Sequence, residues 1–176
     1  MADFLKAGHI HHFFEIKQGM RIADFGCGSG DFAIFAARKT GESGKVSAID
    51  VMPTALESVR ARAKAAGLTN IVEIRGNLEK TGGSKLESDS QDMVYIGNML
   101  TQSKKHAEVI EEAKRILKSR GALAAIEWKK GVSLGPPDEL RVDQHELKQL
   151  ISDAGLQVEK EFDAGDYHYG LVAKKP

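Results

Sequence analysis

Met20 to Lys39 runs Met-Arg-Ile-Ala-Asp-Phe-Gly-Cys-Gly-Ser-Gly-Asp-Phe-Ala-Ile-Phe-Ala-Ala-Arg-Lys, and its reading decides the fold. Ile22, Ala23 and Phe25 make a short apolar run of the kind found in buried parallel strands. Phe32, Phe35 and Ala36 then recur at helical spacing, which starts a helix near Ser29 or Gly30. Gly26, Gly28 and Gly30 stand at alternate positions between the two elements. Glycine lets the backbone turn sharply out of the strand and leaves bare main chain for a ligand to lie against. The amides that open the helix face whatever polar group occupies the turn. Strand, glycine turn and helix together read as a nucleotide-type binding loop.

The dinucleotide fingerprint Gly-x-Gly-x-x-Gly would place its third glycine at Asp31. A carboxylate there suits the helix dipole and opposes a pyrophosphate. The order Asp-x-Gly-x-Gly-x-Gly over Asp24, Gly26, Gly28 and Gly30 instead resembles motif I of the class I S-adenosylmethionine-dependent methyltransferases. The cofactor of that family carries a sulfonium, an amino group and a carboxylate but no phosphate, so acidic neighbours such as Asp24 and Asp31 favour it.

Composition sets the frame. The 176 residues suit a single domain with a full core, here 1–176 with 1–19 as an N-terminal covering segment. No apolar run approaches a membrane span and no signal peptide is read at the N-terminus. The single cysteine rules out an internal disulfide and agrees with a reducing, cytoplasmic setting. Lys plus Arg and Asp plus Glu are equal at 25 each, which argues against a nucleic-acid partner held by overall charge.

Along the chain, Phe4 to Phe14 is loosely helical and carries His9, His11 and His12. These histidines lack a partner set with ligand spacing, so no metal site is read. Val46 to Val51 is a second strand ending in Asp50. A carboxylate there, roughly twenty residues past the glycine turn, is placed to accept hydrogen bonds from ribose hydroxyls. Nicotinamide and S-adenosylmethionine enzymes share that role, and capping of the next helix is the plain alternative. Pro53 suits the first turn of a helix with Leu56, Val59, Ala63 and Ala66 inward and Arg60, Arg62 and Lys64 solvated. Asn70 to Arg75 is a third strand, Thr81 to Ser90 a polar loop and Gln91 to Ile96 a fourth strand. Lys104 to Lys118 is an amphipathic helix and Ala122 to Trp128 a fifth strand. Gly131, Gly135 and Pro136-Pro137 mark 129–142 as irregular. Asp143 and Glu146 have capping-box spacing ahead of Leu147, Leu150 and Ile151. Strands Gln157 to Phe162 and Tyr167 to Lys174 close the chain as a hairpin.

Alternating strands and helices imply an α/β, doubly wound, Rossmann-like parallel sheet with an antiparallel C-terminal hairpin strand. The resemblance spans about Gln18 to Lys174 and implies seven strands, one of them reversed. Within the class the chain looks most like small stand-alone methyltransferase-domain proteins related to quinone biosynthesis. The resemblance implies that Asp24, Gly26, Gly28 and Gly30, with Cys27 between them, contact the amino-acid end of S-adenosylmethionine or of its product S-adenosylhomocysteine. It places Asp50 on the ribose, Val51 or Met52 against the adenine, Asn77 and Leu78 at the adenine edge, and Asn98 on the floor near the methyl.

The sulfonium methyl is an intrinsically good electrophile, so the protein mainly aligns the acceptor and excludes water. A base is needed only where the acceptor keeps its proton at neutral pH. His168 and Glu127, at strand ends, are the candidates, with a strand-end polar role as the alternative for His168. An Asn-Pro-Pro-Tyr motif of amino-group methylation is missing, with Gly97 to Leu100 in its place. Cys27 lies wrongly for pyrimidine C5 chemistry. Many relatives carry a His pair where this chain has Thr101-Gln102, and Pro-Gly-Gly where it has Ser119-Arg120-Gly121. The reading is methyl transfer to a small molecule. The alternatives are a cofactor-binding protein without turnover, and an NAD-dependent oxidoreductase, which the missing Tyr-x-x-x-Lys opposes. A homodimer is left open.

Overall fold

Strand β1 (Arg21–Phe25) takes the centre of the sheet because Ile22, Ala23 and Phe25 give it apolar side chains on both faces. Ile22, Ala23 and Phe25 are fully buried. Ile22 points into one apolar layer, and Ala23 and Phe25 into the other. The computed structural model describes residues 12–176. After β1 come α1 (Asp31–Thr40), β2 (Lys45–Asp50), α2 (Pro53–Ala65), β3 (Ile71–Arg75) and β4 (Gln91–Gly97). Then follow α3 (His106–Ile116), β5 (Leu117–Trp128), α4 (Gln144–Asp153), β6 (Gln157–Asp163) and β7 (His168–Lys174).

The seven strands lie in the order β3-β2-β1-β4-β5-β7-β6. Only β7 is reversed, pairing antiparallel with both β5 and β6. The expected sheet is therefore present, reversed strand included. Chain order runs outward from β1 in both directions, which opens a crevice at the carboxyl ends of β1 and β4. One layer packs α3 and α4 on the sheet through Val109, Ile110, Leu147 and Ile151. The other packs α1 and α2 through Phe32, Ala36, Leu56 and Val59.

Boundaries moved for local reasons. α1 starts at Asp31, one turn position after the left-handed Gly30 (φ 86°). α3 stops at Ile116 because Leu117 turns extended and pairs with Gln91, so β5 begins before Ala122. Residues 118–121 then bulge out before Ala122 rejoins opposite Met93, with Arg120 left-handed at φ 64°. The expected N-terminal helix falls mostly on residues outside the described set, as do His9 and His11. Its described end, 12–14, is a turn in which Phe13 stacks on Phe162 and Phe14 lies buried near Phe32 and Tyr95. Among the described residues no helix is long and apolar enough to cross a membrane, and no cluster of metal-ligating side chains forms.

The polar loop between β3 and β4 is fastened by one carboxylate. Glu112 of α3 is buried and accepts from the Gly82 and Ser84 amides, the Ser84 hydroxyl and Arg115. Burial alone would raise its pKa, but hydrogen bonds from Arg115 and Ser84 outweigh that and bring it to about 2. A depressed carboxylate stabilises the fold above its unfolded pKa, and the gain is lost as pH falls through the folded value. Stability should therefore drop between about pH 4.5 and 2, by on the order of 2 kcal/mol after allowing for solvent screening. Glu112→Gln should flatten that limb of a denaturation-versus-pH curve. An unchanged limb would remove Glu112 as its source.

Candidate functional site

The glycine turn is tied to β2. Gly26 and Cys27 donate their amides to the Ile49 carbonyl at 2.9 and 3.1 Å. Gly28 donates to Asp50 Oδ2 at 3.1 Å, and Met52 donates to Asp50 Oδ1 at 2.9 Å. Asp50 thus organises both loops that carry the cleft, and each oxygen keeps acceptor capacity for a ligand. The plain capping role and the ligand role fall on the same carboxylate.

The three glycines serve different ends. A Cβ at Gly26 would lie 2.5 Å from Met99 Cγ, and one at Gly30 would lie 2.8 Å from Val59 Cγ2. At Gly28 it would meet nothing within 4 Å, and Gly28 borders the cavities on both sides of the turn. Gly30 borders neither cavity: it is a packing glycine under α2, where a cofactor contact was expected. Gly28→Ala carries only left-handed strain, about 1 kcal/mol. Gly30→Ala adds a clash, about 3 kcal/mol in all. Thermal melts should therefore separate the two, while ligand titration should show Gly28→Ala as the variant that folds and binds poorly. Equal melting losses would contradict this division.

On one side of the turn lies a cleft of about 760 Å³. Asp50 stands on its wall, and Val51 and Met52 expose 51% and 56% of their surface, unusual for large apolar side chains outside a binding site. Leu78 is buried at its base. Asn77 is exposed and accepts the Glu79 amide through Oδ1 at 3.0 Å, which leaves its amide nitrogen toward solvent and cleft.

On the other side a smaller cavity of about 240 Å³ holds Asp24, Cys27, Tyr95 and Asn98. Asp24 is 2% exposed, and its Oδ2 and the Asn98 Oδ1 are both buried without a hydrogen-bond partner. Asn98 also holds φ 55°, a conformation disfavoured for a residue with a Cβ. Burial raises the Asp24 pKa to about 8, a backbone hydrogen bond from Ala33 opposes the rise, and Asp50 and Asp31 add to it. Burial likewise pushes the Cys27 thiol up, so it stays protonated and inert. Two unsatisfied acceptors facing one cavity call for a ligand that brings donors, and an ammonium group meets that need.

Asp31 departs from expectation. Arg62, read as a solvated residue, reaches across to pair with it at 2.7 Å and also donates to the Ser29 carbonyl at 2.9 Å. That hydrogen bond holds the Asp31 pKa below its usual range. Asp31 borders the smaller cavity as Asp24 does, but its charge is matched within the protein, whereas Asp24 keeps an oxygen without a partner.

The two base candidates are not brought together. Glu127 and His168 lie on opposite faces of the sheet and border neither cavity. His168 is 1% exposed, sits against Trp128 at 4.2 Å, and leaves both ring nitrogens unpartnered. Burial lowers its pKa to about 4, so the ring is neutral. Sequence reasoning overlooked Tyr95, Met99 and Gln102 at the cavities. Tyr95 was hidden in an apolar strand. Met99 and Gln102 follow a strand's carboxyl end, and that position was the available signal.

Comparison with known proteins agrees with this geometry. A family described as a methyltransferase domain matches residues 16–166. The demethylmenaquinone methyltransferase of Listeria welshimeri is 31% identical over 112 residues, covering 64% of this chain and 46% of that protein. The chain thus aligns with less than half the length of the curated relatives it matches. A S-adenosylmethionine-dependent methyltransferase structure from Aquifex aeolicus superposes with TM-score 0.87 at 27% identity, covering 96% of this chain and 89% of the other. The [4+2]-cyclase SpnF shares the fold at TM-score 0.82 and 18% identity, over 97% and 79% of the two chains. With the glycine turn and the acidic residue ending β2 inside the matched segment, and the reversed strand β7 directly after it, the chain belongs to the class I S-adenosylmethionine-dependent methyltransferase family.

Proposed function

We propose that the protein binds S-adenosylmethionine across the two cavities and transfers its methyl group to a small-molecule acceptor. The observation that carries this reading is the pair of orphaned buried oxygens, Asp24 Oδ2 and Asn98 Oδ1, beside a turn whose far side presents Asp50, Val51 and Met52. Asp24 and Asn98 would receive the ammonium end, with Gly26, Gly28 and Cys27 supplying close main chain. Asp50 would accept from the ribose hydroxyls. Val51, Met52, Asn77 and Leu78 would enclose the adenine. When bound, S-adenosylmethionine supplies a sulfonium-activated methyl for in-line displacement. The chain's own residues bind, orient and exclude water.

Neither His168 nor Glu127 borders the two cavities, so proton removal from the acceptor is assigned to no residue of this site. Quinone-related acceptors are the substrate class to test first, on the printed activity of the Listeria welshimeri relative. The balanced charge argues for a small acceptor over nucleic acid, and the single cysteine fits a cytoplasmic setting.

Calorimetric titration with S-adenosylmethionine, S-adenosylhomocysteine and NAD in parallel tests the reading. Binding of both sulfur compounds is expected. Binding of NAD alone, or of none of the three, would overturn it. Binding without product in a broad acceptor screen would favour a cofactor-binding protein without turnover.

A further inference from the structure

Glu127 is fully buried in β5, yet it does not lie beside His168 or at either cavity. Its Oε1 accepts the Leu100 amide at 2.9 Å, and its Oε2 is buried without a partner. Two residues earlier, the Asn98 amide donates to the Ile126 carbonyl at 2.9 Å. The chain leaving β4 is therefore stitched to β5 on either side of Met99, at Asn98 and at Leu100. Left-handed Asn98 then turns it into the short 3-10 turn Leu100–Gln102.

The outer end of that turn is fastened separately. His106 Nε2 lies 3.0 Å from the carbonyls of both Leu100 and Ser103. Glu79 accepts from the Ser103 hydroxyl and the Lys104 amide at 2.8 and 3.0 Å. What this bracing presents is one wall of the ligand site. Met99 fills the space that a side chain at Gly26 would need, and it borders the larger cleft. Gln102 borders both cavities, and while its amide donates to the Met99 carbonyl at 3.0 Å, its side chain forms no hydrogen bond among the described residues. It is the side chain of the turn left available to a ligand spanning the two.

We propose that Glu127 is a positioning residue that holds the Met99–Gln102 turn from beneath, so that Gln102 closes over a ligand lying across the glycine turn. The inference rests on the cofactor reading above. A carboxyl is not required for its charge here. A carbonyl oxygen directed at the Leu100 amide suffices, so the isosteric amide should replace it. An apolar residue of similar bulk cannot, because it leaves the Leu100 amide buried without an acceptor.

S-Adenosylhomocysteine is titrated into the wild type, Glu127→Gln, Glu127→Leu and Gln102→Ala, each with a thermal melt. The amide hydrogen exchange of Leu100 is followed in the ligand-free wild type and in Glu127→Gln. Expected results are affinity within about threefold of wild type for Glu127→Gln and a loss of roughly tenfold for both Glu127→Leu and Gln102→Ala, a tenfold change being about 1.4 kcal/mol. Leu100 should exchange slowly in both proteins tested. Wild-type affinity in Glu127→Leu with only a lowered melting temperature would reduce Glu127 to a structural residue and overturn the proposal. So would a tenfold loss in Glu127→Gln, or fast Leu100 exchange in the wild type. Should Glu127→Leu not fold, the exchange measurement and the Gln102→Ala titration still decide. Failure of the wild type itself to bind S-adenosylhomocysteine would strike the cofactor reading, whereas slow Leu100 exchange would still show the clamp.

Discussion

Asp24→Asn is expected to give a protein that melts higher than the wild type and no longer holds S-adenosylmethionine. The carboxyl is enclosed, one oxygen has no partner, and its pKa stands near 8. An acid whose folded pKa is raised favours the unfolded state as pH climbs from the unfolded value, near 3.8, toward the folded one. At pH 7 the ligand-free fold therefore carries a penalty that an uncharged isostere lacks. Removing it should raise Tm by roughly 3–8 °C in a chain of this size. The same exchange deprives a ligand ammonium of its counter-charge, a loss on the order of 100-fold in affinity. Melts of both proteins from pH 5 to 9, with titration at pH 7.5, check the two halves. The wild-type melting temperature should fall with rising pH more steeply than that of the variant. A variant that melts lower at every pH, or one that binds as the wild type does, would refute the assignment of Asp24 as a binding group.

Asp50→Ala should act on the opposite end of the cleft. Hydroxyls donating to a carboxylate form charge-assisted bonds worth about 1.5–3 kcal/mol each, so losing the pair should weaken S-adenosylhomocysteine binding by roughly 100-fold or more. The change also releases the amides of Gly28 and Met52. Asp50→Asn separates the two effects, since it keeps an oxygen for one amide and lowers the charge. Affinity should fall in both variants, and the melting temperature mainly in Asp50→Ala. Equal binding by all three proteins would leave Asp50 as a loop brace alone.

Much of this was legible before any coordinates. Apolar Ile22, Ala23 and Phe25 could only be an interior strand, and three spaced glycines after it could only be a turn. Periodicity likewise placed the helices and the closing hairpin. The glycines themselves were less legible, because sequence spacing shows where a side chain is missing but not what stands opposite. Val59, far along the chain, makes Gly30 a packing position. Arg62 was equally hidden: helical periodicity puts it on the solvent side, and only the tertiary approach of α2 to the glycine turn gives it Asp31 as a partner. Glu127 and His168 were both placed correctly at strand ends. The alternation of the pleat sends them to opposite faces, a consequence of strand pairing that neither local stretch records.

The irregular segment between β5 and α4 is governed by a single buried guanidinium. Arg141 donates to the carbonyls of Lys129, Val132, Leu134 and Pro136 and pairs with Asp138, while Tyr169 pins the neighbouring Val142 carbonyl at 2.7 Å. All of these anchors but Asp138 grip main-chain oxygens, which every amino acid possesses. Leu134 and Leu140 remain outward, 39% and 50% exposed. The segment therefore behaves as a cassette. Its shape is written by one residue at its base, and apart from left-handed Gly131 and Gly135, the latter with no room for a Cβ beside Trp128, outward positions such as Leu134 and Leu140 can be exchanged without rewriting the scaffold that carries them.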